Sequence, residues 1–121
     1  MEKKYSSIYR VSIVAEPRNN KLYDDYIQMV KYVKEAIKKG NMTLKSITID
    51  VLHGEYNGYS VVAIISESHC SAYTFKEHNK IYIDIATCSD ENSLRNMIEY
   101  FKKVLIIKNE NEINIINMGG K

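Results

Sequence analysis

Between residues 44 and 87 the chain carries strand-period hydrophobicity four times, and no gap between the runs is long enough for a helix. "LKSITIDVL" (44–52) alternates apolar and polar residues, and "YSVVAIISE" (59–67) reads as a buried strand. "CSAYTF" (70–75) follows almost at once, and the turn "KEHNK" leads into "IYIDIAT" (81–87), with Ile81, Ile83 and Ile85 on one face. Strands joined so closely pair antiparallel, because a parallel pair needs a long crossover. Upstream, "IYRVSIVA" (8–15) predicts another strand. Residues 22–39 predict a helix, with Ile27, Val30, Val33 and Ile37 as its stripe and Gly40 as its stop. A second helix is expected to begin near Ser89 or Asp90, both favourable N-caps, with Leu94, Met97, Ile98, Phe101 and Leu105 as its apolar stripe. "EINIIN" (112–117) predicts a last strand. The order β-α-β-β-β-β-α-β implies an α+β fold, a two-layer sandwich of one antiparallel sheet with two helices on one face, over a single domain, residues 1–121. The other sheet face then needs cover, which a second protomer would supply.

Charge narrows the possible partners. Lys plus Arg is 17 and Asp plus Glu is 15, and the basic residues are spread out, with Lys-Lys pairs only at 3–4, 38–39 and 102–103. A nucleic-acid surface shows a basic stripe, so no nucleic-acid partner is expected. The longest apolar run, "VVAII" (61–65), is far too short to span a membrane, and the first residues lack the apolar core of a signal peptide. Two cysteines make no disulfide framework, so a cytoplasmic protein with reduced thiols is expected. His53 and His78 have no carboxylate or cysteine at metal-ligand spacing, and no metal site is expected.

The chemistry concentrates in "SESHCSAYTFKEHNKIYIDIATCSD" (66–90). A hairpin centred on His78-Asn79 places Ser68 opposite residues 88–90, and so near Cys88. A serine at a strained strand junction can attack the carbonyl before it, here that of Glu67. The resulting ester eliminates to dehydroalanine, which hydrolyses to a pyruvoyl group on a new N-terminus. Such a carbonyl forms a Schiff base with an amine substrate and acts as an electron sink, as pyridoxal phosphate does elsewhere. After carbon dioxide leaves, a nearby thiol suits the task of returning a proton.

At these residues the chain resembles the prokaryotic S-adenosylmethionine decarboxylases. "SESH", then "YTFKE", then "IDIATC" is similar to that family's stretch, and "SIVAE" (12–16) to its opening strand. The resemblance implies a zymogen that cuts itself at Glu67-Ser68 into a β chain (1–67) and an α chain (68–121). It implies a covalent pyruvoyl cofactor made from Ser68, and a homodimer with sites near the interface. The implied activity is decarboxylation of S-adenosylmethionine for spermidine, hence polyamine, biosynthesis. By the same resemblance Cys88 is the catalytic proton donor, and Ser60 assists processing. His69 belongs to the processing motif, Glu77 lies in the substrate pocket, and Phe75 stands where the family has tryptophan.

The pattern departs from the family at two places. Tyr73 occupies the position of the processing histidine, and a phenol with its usual pKa near ~10 is a poor base at neutral pH. Strict alternation also puts Tyr73 on the sheet face opposite Ser68, unless a bulge intervenes. The second departure precedes Ser60, where the family carries an aromatic that stacks on adenine. Here the ungapped position is Gly54, with Tyr56 two residues on. Loss of that stack, worth roughly 1–3 kcal/mol per base, opens the pocket to a smaller amino-acid substrate such as ornithine or arginine. An unprocessed, non-catalytic paralogue is the alternative that Tyr73 supports.

Overall fold

The computed structural model describes residues 8–52, 58–66, 68–88 and 90–119. Strands β1 (Tyr9–Pro17), β2 (Leu44–Leu52), β3 (Gly58–Ile65), β4 (Ser68–Phe75), β5 (Lys80–Thr87), β6 (Leu105–Ile106) and β7 (Ile113–Asn117) form one sheet. Its order is β2-β3-β4-β5-β1, and β6 and β7 share the far edge of β1. Every pairing is antiparallel. Helices α1 (Tyr26–Lys39) and α2 (Glu91–Val104) lie side by side on one face, as the alternation implied. Among the described residues no helix is long and apolar enough to cross a membrane.

The core sits between helices and sheet because side chains alternate across a strand. Ile81, Ile83 and Ile85 of β5 and Val11, Ile13 and Ala15 of β1 are buried, as are Val61, Ala63 and Ile65 of β3. From the helices Met29, Val33, Ala36 and Ile37 meet them, with Leu94, Met97, Ile98 and Phe101. Asp90 caps α2 by accepting a hydrogen bond from the Ser93 amide at 2.8 Å. At the other end Arg18 donates to the carbonyls of Lys103 and Lys102 at 3.1 and 3.2 Å, satisfying acceptors that the helix leaves orphaned.

Three expectations change. Helix α1 starts later, because a 3₁₀ turn (Asn20–Asp24) precedes it and Asp25 is its N-cap, accepting from the Gln28 amide. The buried stripe then runs through Met29 and Ala36, and Ile27 is exposed. Gly40 does end the helix, but with φ of −80°; the left-handed residue is Asn41, at φ 58°. Gly40 is needed for space instead, since a Cβ there would stand 2.9 Å from Met42 Cε and from Met97 Cγ. Leu105 is buried as predicted, but it belongs to β6 rather than to α2.

Among the described residues no helix covers the second sheet face. Leu52, Ile64, Tyr73, Phe75 and Ile116 are exposed on it. They share it with an ion cluster in which Arg10 donates to both Asp84 oxygens at 3.0 and 3.2 Å.

Candidate functional site

Ser68 opens a strand rather than occupying a loop. Ile65 pairs with Ser68, so residues 66 and 67 form the whole connection between β3 and β4. A two-residue hairpin loop of this kind favours residues such as Asn and Gly that tolerate positive φ. Ser66 fills it at φ 32°, a conformation that costs a residue with a Cβ on the order of 1 kcal/mol or more. Strain therefore lies within two residues of the Glu67-Ser68 bond. Glu67 and Ser89 themselves lie outside the described residues, as does the 53–57 segment with Gly54 and Tyr56.

Ser68 Oγ donates to Thr87 Oγ1 at 3.0 Å, and Thr87 is buried. Thr87 in turn donates to Met42 Sδ at 3.7 Å. The β4–β5 register runs unbroken from His69↔Ala86 to Phe75↔Lys80. The hairpin thus centres between Glu77 and His78, one residue earlier than expected, and the residue facing Ser68 is Thr87 with Cys88 next in the chain. The cause is the turn. Lys76–His78 form a 3₁₀ turn and Asn79 takes the left-handed position at φ 56°, so β5 restarts at Lys80. Cys88 is half-buried, whereas Cys70, opposite Ile85 in the core, has its thiol pushed up to about 12 by burial, which disfavours the thiolate.

A separate group of predicted residues meets on the open face. Ser60 pairs directly with Tyr73 across β3 and β4. Both line a cavity of about 560 Å³ with Phe75, Glu77, His78 and Tyr59. Phe75 stacks on His78 with ring centres 5.9 Å apart and planes 11° from parallel, and Tyr82 meets it edge-on at 5.3 Å. The cavity wall is therefore aromatic with one carboxylate, a combination that suits a cation on an apolar body. Tyr59 is anchored by donating its hydroxyl to the Leu22 carbonyl at 2.6 Å, and burial raises its phenol well above the ordinary value.

These two groups are far apart within one chain. Ser68 and Tyr73 are five positions apart on a continuous strand, about 17 Å at strand rise, and no bulge interrupts β4. Tyr73 stays on the open face, as alternation required. His69 also faces outward, its Nε2 3.6 Å from Asp84 Oδ2 in the Arg10 cluster. Among the described residues no three His, Cys, Asp or Glu side chains cluster as metal ligands. Arg10, Asp84 and Thr87 escape sequence reasoning. Only the pairing of β1 with β5 makes the opposite charges of Arg10 and Asp84 neighbours.

Residues 14–116 match the sequence model of the S-adenosylmethionine decarboxylase family. The chain belongs to that family. Several S-adenosylmethionine decarboxylase proenzymes are similar to it. That of Sulfurisphaera tokodaii is 38% identical over 84 residues, 69% of this chain and 61% of that protein. That of Pyrobaculum aerophilum is 32% identical over 82 residues, 68% and 65%. That of Clostridium botulinum is 34% identical over 86 residues, 69% and 74%. The matched stretch thus spans just under two thirds of the length of the archaeal S-adenosylmethionine decarboxylase proenzymes. In three dimensions the chain superposes on the adenosylmethionine decarboxylase of Aquifex aeolicus with a TM-score of 0.74, covering 97% of this chain and 92% of the other at 19% identity. That likeness establishes a shared fold.

Proposed function

We propose that this protein is a self-processing decarboxylase of S-adenosylmethionine, active as a homodimer whose open sheet faces meet. The observation that carries the reading is the convergence of Ser60, Tyr73, Phe75 and Glu77 on one cavity, while Ser68 opens a strand after a strained turn. Ser68 fits as the source of a pyruvoyl group. Cleavage would leave residues 1–67 and residues 68–121, with Ser60, His69 and Tyr73 assisting. When formed, that group supplies the electron sink for a bound amine. In the proposed site, Glu77 holds the positive charge of the substrate, Phe75 packs on its apolar part, and Cys88 Sγ returns the proton after carbon dioxide leaves.

The separation of about 17 Å along β4 supports the dimer reading. A cavity that far from Ser68 in one chain serves residue 68 of a second copy once two open faces are apposed and cleavage frees that residue, now an N-terminus, to turn from the Thr87 side of the sheet toward the interface. Exposed Leu52, Ile64, Tyr73, Phe75 and Ile116 make such a face costly to leave in water. The product would enter spermidine synthesis in the cytoplasm.

The intact mass of freshly purified protein under denaturing conditions tests the reading. Two fragments, 1–67 and 68–121, the second with a blocked N-terminus, are expected, and Ser68→Ala should remain whole. A single stable species near 14.0 kDa overturns self-processing. That outcome favours a non-catalytic paralogue, a reading which rests on Tyr73 in the position of the family's histidine. Carbon dioxide release from labelled S-adenosylmethionine, set against ornithine and arginine, then assigns the substrate.

A further inference from the structure

Two of the polar residues of the cavity wall, Glu77 and His78, stand on a single 3₁₀ turn, Lys76–His78, none of whose residues is buried. One such turn has no rigidity of its own, since it closes few hydrogen bonds. Something outside it must hold the carboxylate of Glu77 in place. Its own closure is the Asn79 amide donating to the Lys76 carbonyl at 3.0 Å, with Asn79 left-handed at φ 56°.

The outside support comes from the 3₁₀ turn Asn20–Asp24. Tyr23, buried there, donates its hydroxyl to Asn79 Oδ1 at 2.8 Å. The neighbouring residue, Leu22, receives the Tyr59 hydroxyl on its carbonyl at 2.6 Å, and the Tyr59 amide donates to Thr74 Oγ1 at 3.1 Å. The circuit therefore links the start of β3, the end of β4, the 20–24 turn and the turn that carries Glu77. A second link, Lys76 Nζ to Asp24 Oδ2 at 3.8 Å, joins two exposed side chains and holds little.

We propose that Tyr23 is a positioning residue for the cavity: its hydroxyl latches the 76–79 turn through Asn79 and so fixes Glu77 and His78 against Phe75. The latch governs how well the cavity holds its ligand and leaves cleavage at Ser68 unchanged. It rests on the reading of the cavity as the substrate site.

The test uses Tyr23→Phe, which keeps the buried ring, and Asn79→Gly, which keeps the left-handed backbone. Each deletes the same hydrogen bond. Both should raise the KM for S-adenosylmethionine about two- to tenfold, the equivalent of one such bond, with kcat and the extent of cleavage retained. The double variant should match the singles, because a deleted bond cannot be deleted twice. Backbone amides of residues 76–80 should exchange with deuterium faster in both variants. An unchanged KM together with unchanged exchange overturns the latch, as does a fall in kcat at constant KM. If the wild-type protein releases no carbon dioxide, the decarboxylase reading fails. The latch then stands or falls on amide exchange alone, supported by faster exchange at 76–80 and overturned by its absence.

Discussion

If each site combines Ser68 of one protomer with the cavity of its partner, two dead chains should make one live site. Along β4 the separation between Ser68 and Tyr73 is about 17 Å, and the two side chains leave the sheet on opposite faces. No rotamer change spans that distance. In Ser68→Ala the pyruvoyl source is lost while the cavity remains; in Glu77→Gln the cavity loses its carboxylate while Ser68 remains. Each homodimer is therefore crippled at both sites. A mixed dimer carries one doubly damaged site and one intact site, so it should work at about half the wild-type rate per dimer. The assay is co-expression with two affinity tags, tandem purification of the mixed species, and carbon dioxide release from labelled S-adenosylmethionine. Native mass spectrometry establishes the pairing. A purified mixed dimer with no more activity than the parental homodimers would refute the reasoning, because it would place both halves of the site in one chain.

Ser66→Gly removes the cost of a positive φ but adds backbone freedom to the unfolded chain, so stability should rise by less than about 1 kcal/mol. Self-cleavage should slow if strain beside the bond drives the attack, as followed by the loss of the uncut species over time; unchanged cleavage would detach strain from processing. Alkaline stability should report Tyr59, whose phenol is raised first by burial and then by Asp25 and Asp24. The folded state keeps that proton longer than the unfolded chain, so stability is intact below pH ~10 and declines as pH rises beyond it. Tyr59→Phe loses the bond to Leu22, about 1 kcal/mol at neutral pH, but should show a shallower decline in urea midpoint above pH ~10. Parallel declines in both proteins would contradict this.

Some of this protein was legible from local pattern alone. Ile81, Ile83 and Ile85 alternate, so β5 and its buried face follow from the pleat. Asp90 followed by Leu94, Met97, Ile98 and Phe101 marks a capped amphipathic helix within one stretch of chain. The resemblance of residues 58–90 placed Ser60, Ser68, Tyr73, Phe75, Glu77 and Cys88 together as candidates, and the family match over residues 14–116 includes them. Periodicity and short motifs are properties of neighbours in sequence, and they need no knowledge of the fold.

Which residues meet across the chain is a different kind of fact. The one-residue shift of the β4–β5 hairpin came from Asn79 taking the left-handed position, and it put Thr87 rather than Cys88 against the Ser68 hydroxyl. Ile27 fits a helical stripe on paper, yet Asp25 starts α1 where another stripe faces the sheet. Arg10 with Asp84 and His69, and Tyr23 with Asn79, are contacts between segments dozens of residues apart. The motif also reads as one site, whereas the structure stretches it along a straight strand, with Ser68 at one end and the cavity at the other. Sequence determined the faces and the chemistry, because hydrophobic period and residue type act locally. Tertiary structure decided the register, the Tyr23–Asn79 contact and the separation of Ser68 from the cavity, because these depend on turn geometry and on how distant strands and helices pack.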